Sequence, residues 1–304
     1  MKNGLLRKLT SLSVASIVVA GALVGCGSSD SASEQTSDAA VSEEQEAEQA
    51  SEETTEEPAE LEPITVAASA TPHAEILEAA KDALKEQGYD LQVTVFDDYV
   101  QPNEVVEAGE FDANYFQHIP YLNSFNEEHG THLVDAGDIH YEPFGIYPGT
   151  KSSLEDVAEG DVVAIPNDTT NEARALLLLQ DNGLLTLKEG VGLEATVNDI
   201  TENPYNLDFE ELEAAQVARV VDEVAYVVLN GNYALEAGYS VAKDSIAYES
   251  TDSVAAETYV NIIAVYEGHE NDAKIQALVS VLKSDEIKKF IEDTYDGAVV
   301  FYDK

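Results

Sequence analysis

"ITVAASATPHAEILEAAKDALKEQGYDLQVTVFD" (Ile64–Asp97) decides the architecture. "ITVAAS" (64–69) reads as a strand. Thr71 is then a candidate N-cap, Pro72 suits the first helical position, and Gly88 stands where a helix ends. Between them Ile76, Leu77, Ala80, Ala83 and Leu84 fall on one helical face. "LQVTVFD" (91–97) is a second strand. A strand, an amphipathic helix and another strand predict α/β architecture.

The same alternation continues downstream. "PNEVVEAGE" is a short helix, and "DANYF" (112–116) a third strand with Pro120 opening a helix toward His129. "THLVDAG" and "PFGIYP" follow. After Gly149 the pattern restarts: "SLEDV" a short helix, "DVVAIPN" a strand, and "NEARALLLLQDNG" a helix closed by Gly183. "LDFEELE", "VAYVVLN" (224–230) and "YVNIIAVY" (259–266) are further strands. Ala273–Lys283 and Asp285–Thr294 are helical. Two α/β blocks, with a late strand and terminal helices able to return to the first, predict two lobes of 64–146 plus 247–304 and 147–246. A cleft between lobes favours small ligands.

Upstream, Lys2, Arg7 and Lys8 precede an apolar run, Leu9–Val24, too short and too rich in Ser, Gly and Ala for a good membrane span. It ends in "LVGC". Residues 1–25 read as a secretory signal, and the motif resembles a bacterial lipobox, in which Cys26 would be lipidated and become the mature N-terminus. Cys26 is the only cysteine, so there is no disulfide framework. Residues 26–63 form a linker of Ser, Glu, Ala, Thr and Gln with thirteen acidic residues and no Lys or Arg. Such a segment buries too little apolar surface to offset the entropy of ordering. The expected arrangement is a folded domain tethered by lipid to the extracytoplasmic membrane face. The net charge of −45 argues against nucleic-acid binding, which needs basic patches.

With only fifteen Lys and Arg in the chain, Arg174 is informative. It falls in the first turn of a helix capped by Asp168 or Thr170, where the macrodipole disfavours a cation. Either it joins the helix start in an anion site that holds a carboxylate bidentately, or it forms an internal salt bridge. Both readings stand at this stage. Tyr115, Phe116, Tyr121 and Phe125 are either core or the wall of a slot. Alternation puts Phe116 and His118 on one face of their strand and Tyr115 and Gln117 on the other. Asn230 follows a strand at the edge where open sheets bind ligands, or simply turns the chain before Gly231. His129, His132 and His140 are close in sequence, but their spacing fits no tight zinc pattern. No nucleophile elbow, phosphate loop or dinucleotide fingerprint is present. No metal, cofactor or catalytic residue is expected.

Four motifs carry a resemblance: "DDYVQPNEVVEAGEFDANYFQHIPYL" (97–122), "IPNDTTNEARALLLLQDNGL" (165–184), "VLNGNYALEAG" (228–238) and "YVNIIAV" (259–265). Together they look like the methionine-binding lipoproteins of ABC importers, the NlpA/MetQ type, over Ile64–Lys304. The resemblance implies a two-lobed periplasmic-binding-protein fold of type II. It also implies a monomer that captures L-methionine between its lobes and passes it to an ABC permease with its ATPase subunit. Arg174 would then clamp the carboxylate, and Asn171 and Asn230 would bond the polar end. Tyr99, Phe116, His118 and Tyr121 would enclose the side chain. Tyr141 and Glu142 stand where the chain enters the cleft, and Glu142 would neutralise the ammonium. Thr169 departs from the family's usual proline, which would loosen the loop before Asn171. The same scaffold holding a methionine-containing dipeptide or another apolar amino acid stays open. So does a surface enzyme or adhesin, for which His118 would be the only candidate base.

Overall fold

The computed structural model describes residues 60–250 and 254–303. The expected signal peptide, Cys26 and the linker up to residue 59 lie outside the described residues. Among the described residues no helix is long and apolar enough to cross a membrane.

In chain order the first strands are β1 (Glu62–Ala68), β2 (Tyr89–Val95), β3 (Ala113–His118), β4 (Leu133–Tyr141), β5 (Gly145–Pro148) and β6 (Val162–Pro166). Next come β7 (Thr186–Leu187), β8 (Ile200–Glu202), β9 (Asp208–Leu212), β10 (Tyr226–Leu229), β11 (Ala247–Tyr248), β12 (Val260–Tyr266) and β13 (Val300–Phe301). Two main sheets result, with strand orders β13-β4-β12-β3-β1-β2 and β11-β5-β10-β6-β9, beside a β7-β8 hairpin. The sheets are mixed. β1 runs parallel to β2 and β3, and β6 parallel to β9 and β10, while β12 returns antiparallel between β3 and β4.

The amphipathic helix after β1 is α1 (Glu75–Glu86), and it buries Ile76, Leu77, Ala80 and Leu84 as its periodicity requires. Its start differs from expectation. Thr71 is extended (φ −134°, ψ 138°) and caps nothing, and regular helix begins only at Glu75. β1 also starts at Glu62, two residues inside the expected linker, because the Glu62 amide bonds the Gly88 carbonyl. Further helices are α2 (Gln101–Glu107), α3 (Ile119–His129), α4 (Thr169–Asp181), α5 (Ala214–Val217) and α6 (Gly231–Glu236), the last not anticipated.

The two sheets share part of their packing. One apolar cluster joins β1, α1 and the closing helices Ala273–Leu282 and Asp285–Tyr295, and continues through Ala164, Val227 and Leu229 onto one face of the second sheet. The other face of that sheet is covered by the leucines of α4. β3 is buried along its whole length, as a central strand covered on both faces must be. The second sheet keeps the chain slightly longer than expected. Ala247 and Tyr248 still pair with β5, so the return to the first sheet falls after Tyr248 rather than at 247.

Candidate ligand-binding site

The carboxyl ends of both sheets' parallel strands point toward one place. The chain leaves β2 toward Tyr99, β3 ends at His118, β6 is followed by Asp168 and Asn171, and β10 stops just before Asn230. This is the edge at which open α/β sheets take ligands. Between the lobes lies a small cavity of about 20 Å³, lined by Tyr99, Phe116, Gln117, His118, Tyr121, Glu142, Arg174, Asn230, Gly231, Asn232 and Asn261. Its walls stand close, leaving clear room for about one water.

The aromatic question has a definite answer. Phe116, Tyr121 and Phe125, with Tyr99 against them, form a cluster separate from the main core. Ring centroids lie 5.5 Å apart for Tyr99–Phe116, 5.6 Å for Tyr99–Tyr121 and 5.9 Å for Phe116–Tyr121. Three of the rings face the cavity. Phe125 stands behind them, stacked on His129 at 4.1 Å. The Tyr99 hydroxyl crosses between lobes to donate to Asn232 Oδ1 at 2.5 Å.

His118 is committed on both ring nitrogens. Nδ1 accepts the Tyr121 amide (3.1 Å), capping α3, so the ring's proton sits on Nε2 and is donated to Asn171 Oδ1 (3.1 Å). Burial, and after it the Arg174 charge, lowers its pKa to about 3. His118 therefore offers the cavity no free lone pair and is no general base in this arrangement. Asn171 does not line the cavity. It lies one layer back, where its Oδ1 also accepts from Asn230 Nδ2 (2.9 Å) and its own amide is anchored on Asp168 Oδ1 (2.8 Å). Asp168, not Thr170, caps α4 by accepting the Asn171 amide. Thr169, expected to loosen this loop, donates instead to Glu128 Oε1 of α3 at 2.8 Å. Asn230 sits at the start of α6, and its Oδ1 is buried without a partner among the described residues.

Arg174 combines the two readings left open. It lines the cavity and is ion-paired inside the protein. Nε meets Glu249 Oε1 at 2.8 Å, while Nη2 meets Glu249 Oε2 at 2.6 Å and the Glu142 carbonyl at 3.0 Å. Glu249 occupies the Nε–Nη2 fork, the face that a bidentate clamp on a guest would use. Burial would lower the arginine's pKa, but the charge and hydrogen bonds of Glu249 outweigh it and hold the pKa up. The guanidinium carbon lies 4.0 Å from the Tyr259 ring centroid and 4.7 Å from that of Phe144. Such stacking suits a planar guanidinium better than a lysine. Tyr141, expected beside the ligand, is not in the cavity wall. Its hydroxyl donates to Glu249 Oε2 at 2.7 Å and so supports the ion pair.

Glu142 is in the wall and 5% exposed. Its Oε1 lies 2.8 Å from His140 Nε2 and 3.4 Å from His73 Nε2. Burial raises its pKa, with Arg174 and the Asn232 amide among the opposing influences. Gly231 leaves room for it, since a Cβ there would fall 2.6 Å from Glu142 Oε2. The histidines taken together in sequence are apart in space: His132 pairs with Glu107, His129 stacks on Phe125, and His140 joins His73 and Glu142. The donors of this last cluster are satisfied as neutral rings: His140 on Glu142, and His73 on Asn261 Oδ1 at 3.0 Å. Gln117, Asn232, Asn261 and Glu249 were not foreseen. Asparagine before a helix start and a polar residue in an apolar strand were the only traces of them.

A cavity shared by two α/β lobes, lined by a cation, a carboxylate and three aromatic rings, defines a two-lobed ligand-binding protein. The chain belongs to the NlpA lipoprotein family, whose profile matches residues 64–301. It is 45% identical over 241 residues to the methionine-binding lipoprotein MetQ of Bacillus subtilis strain 168, covering 78% of this chain and 87% of that protein. A crystal structure of a lipoprotein from Ruminococcus gnavus ATCC 29149 is similar at 78% identity and a TM-score of 0.79, covering 79% of this chain and 99% of that one. A nutrient-binding protein of Burkholderia cenocepacia, solved bound to methionine, is 42% identical with a TM-score of 0.75, covering 78% and 99%.

Proposed function

We propose that this protein captures L-methionine between its lobes and delivers it to the permease of an ABC importer, whose ATPase subunit supplies the energy. The observation that carries the reading is the polarity of the cavity. Arg174 and Glu142 line it together with the rings of Tyr99, Phe116 and Tyr121. A zwitterion taken out of water needs partners for both charges, or its burial is costly. The Arg174 guanidinium would receive the carboxylate and Glu142 the ammonium, with the unpartnered Asn230 Oδ1 a further acceptor. Rings suit a thioether, each sulfur–aromatic contact contributing about 0.3–1.5 kcal/mol. The methionine-bound relative from B. cenocepacia supports the ligand class. Tyr141 and Asn171 would act by holding Glu249, His118 and Asn230 in place.

The lobes are taken as 62–144 with the segment after Tyr248, and 145–248, since Gly145–Pro148 already pairs within the second sheet. Cys26 would carry the lipid that tethers the domain to the outer membrane face. Stable anchoring takes more than one acyl chain. The test is mass spectrometry of what heat releases from purified protein, followed by calorimetry with L-methionine. Recovery of a methionine-containing dipeptide or another apolar amino acid, with no heat from L-methionine, would replace the proposed ligand. Chemical conversion of L-methionine would replace the proposed class.

A further inference from the structure

Behind Glu142 lies a chain of buried polar groups that touches no guest. Tyr115, His140 and His73 are fully buried. Tyr115's hydroxyl bonds His140 Nδ1, and His140 Nε2 bonds Glu142 Oε1 at 2.8 Å. Burial lowers the His140 pKa to about 3, so the ring is neutral and carries one N–H. The proton positions are therefore linked. If Tyr115 donates to Nδ1, the ring's proton is on Nε2 and points at Glu142, which must then be an acceptor. If Glu142 held a proton and donated it to Nε2, the ring's proton would be on Nδ1 and Tyr115 would accept. The row of three groups has two self-consistent settings, and one of them presents a charged carboxylate to the cavity. His73 Nε2 is nearer Asn261 Oδ1, at 3.0 Å, than Glu142 Oε1, at 3.4 Å, so its N–H goes first to the asparagine.

We propose that Tyr115 and His140 are positioning residues that orient Glu142 as a carboxylate for the amine of the guest, so that this protein selects ligands with a free ammonium group. The inference rests on the proposed function, in which Glu142 faces that ammonium. The ammonium favours the setting in which Glu142 is charged, and the Tyr115 hydroxyl supplies the proton that Nδ1 then needs. Replacing that hydroxyl leaves Nδ1 unpaired in either setting and removes the bias.

The experiment compares L-methionine with 4-(methylthio)butanoate, which keeps the carboxylate and thioether and lacks the amine. Affinities are measured by calorimetry for wild type, Tyr115→Phe, Glu142→Gln and the double variant, with thermal melts confirming that each is folded. Tyr115→Phe is expected to weaken L-methionine about tenfold, the loss of one buried hydrogen bond to an ionic site, and to leave the deaminated analogue unchanged. In the Glu142→Gln background it is expected to have no further effect, because the two act as one unit. Equal weakening of both ligands, no weakening of either, or additive effects of the two substitutions would each overturn the inference. Wild type that binds no L-methionine would remove the proposed function and this inference with it. If Tyr115→Phe fails to fold, Glu142→Gln decides, and equal losses for both ligands count against the assignment.

Discussion

Replacing Arg174 by alanine strands Glu249. That carboxylate is 10% exposed and takes two hydrogen bonds from the guanidinium, at 2.8 and 2.6 Å. Its other donors include the Tyr141 hydroxyl and the Phe144 amide, and neither carries the charge that a buried carboxylate loses with the guanidinium. Removing one partner of a buried ion pair costs about 3–5 kcal/mol. Against a slope of roughly 1–3 kcal/mol per molar urea, the unfolding midpoint should fall by at least 1 M. Binding of L-methionine should fall by about 2–5 kcal/mol as well, the loss for truncating one member of a buried charged pair. Arg174→Met with Glu249→Gln separates the two effects. Glutamine keeps an oxygen for Tyr141 and Phe144 and carries no charge, so most of the lost stability should return while binding does not. Urea unfolding and calorimetry on the three proteins read both quantities. Arg174→Ala with wild-type stability, or a double variant that binds as tightly as wild type, would refute the reasoning.

Phe116→Ala should weaken L-methionine by up to about tenfold, the scale of one sulfur–aromatic contact, and relax selectivity among apolar amino acids in competition calorimetry. A variant that fails to fold would instead make the ring core. Glu236 is held at about 7 by burial first, then by the charges of Asp97 and Glu142. A carboxyl raised in this way binds its proton more tightly when folded. Its contribution is therefore present at low pH and lost as pH climbs from about 4.5 to 7. Glu236→Gln should gain in melting temperature over wild type across that window and hold the gain above it; a difference independent of pH would sink this assignment.

Much of the fold was legible because its signals are local. Periodicity over Ile76–Leu84 and the Gly183 stop are read within one element, and the bodies of α1 and α4 form as expected although α1 starts later, at Glu75. The aromatic wall was visible as a cluster, and only its separation from the core needed coordinates. What stayed hidden is non-local. Glu249 is one of sixty acidic residues and stands seventy-five positions from its partner, so nothing in its neighbourhood marks it. The His73–Glu142–His140 group is assembled when β12 inserts between β3 and β4, bringing Asn261 to His118 and His140. α6 was missed because six residues opening on glycine show no period.

The Tyr99–Asn232 bridge joins the two lobes beside the cavity. Any path that parts the lobes there has to break it. Its strength therefore enters the speed at which a ligand comes and goes, as well as how tightly it is held.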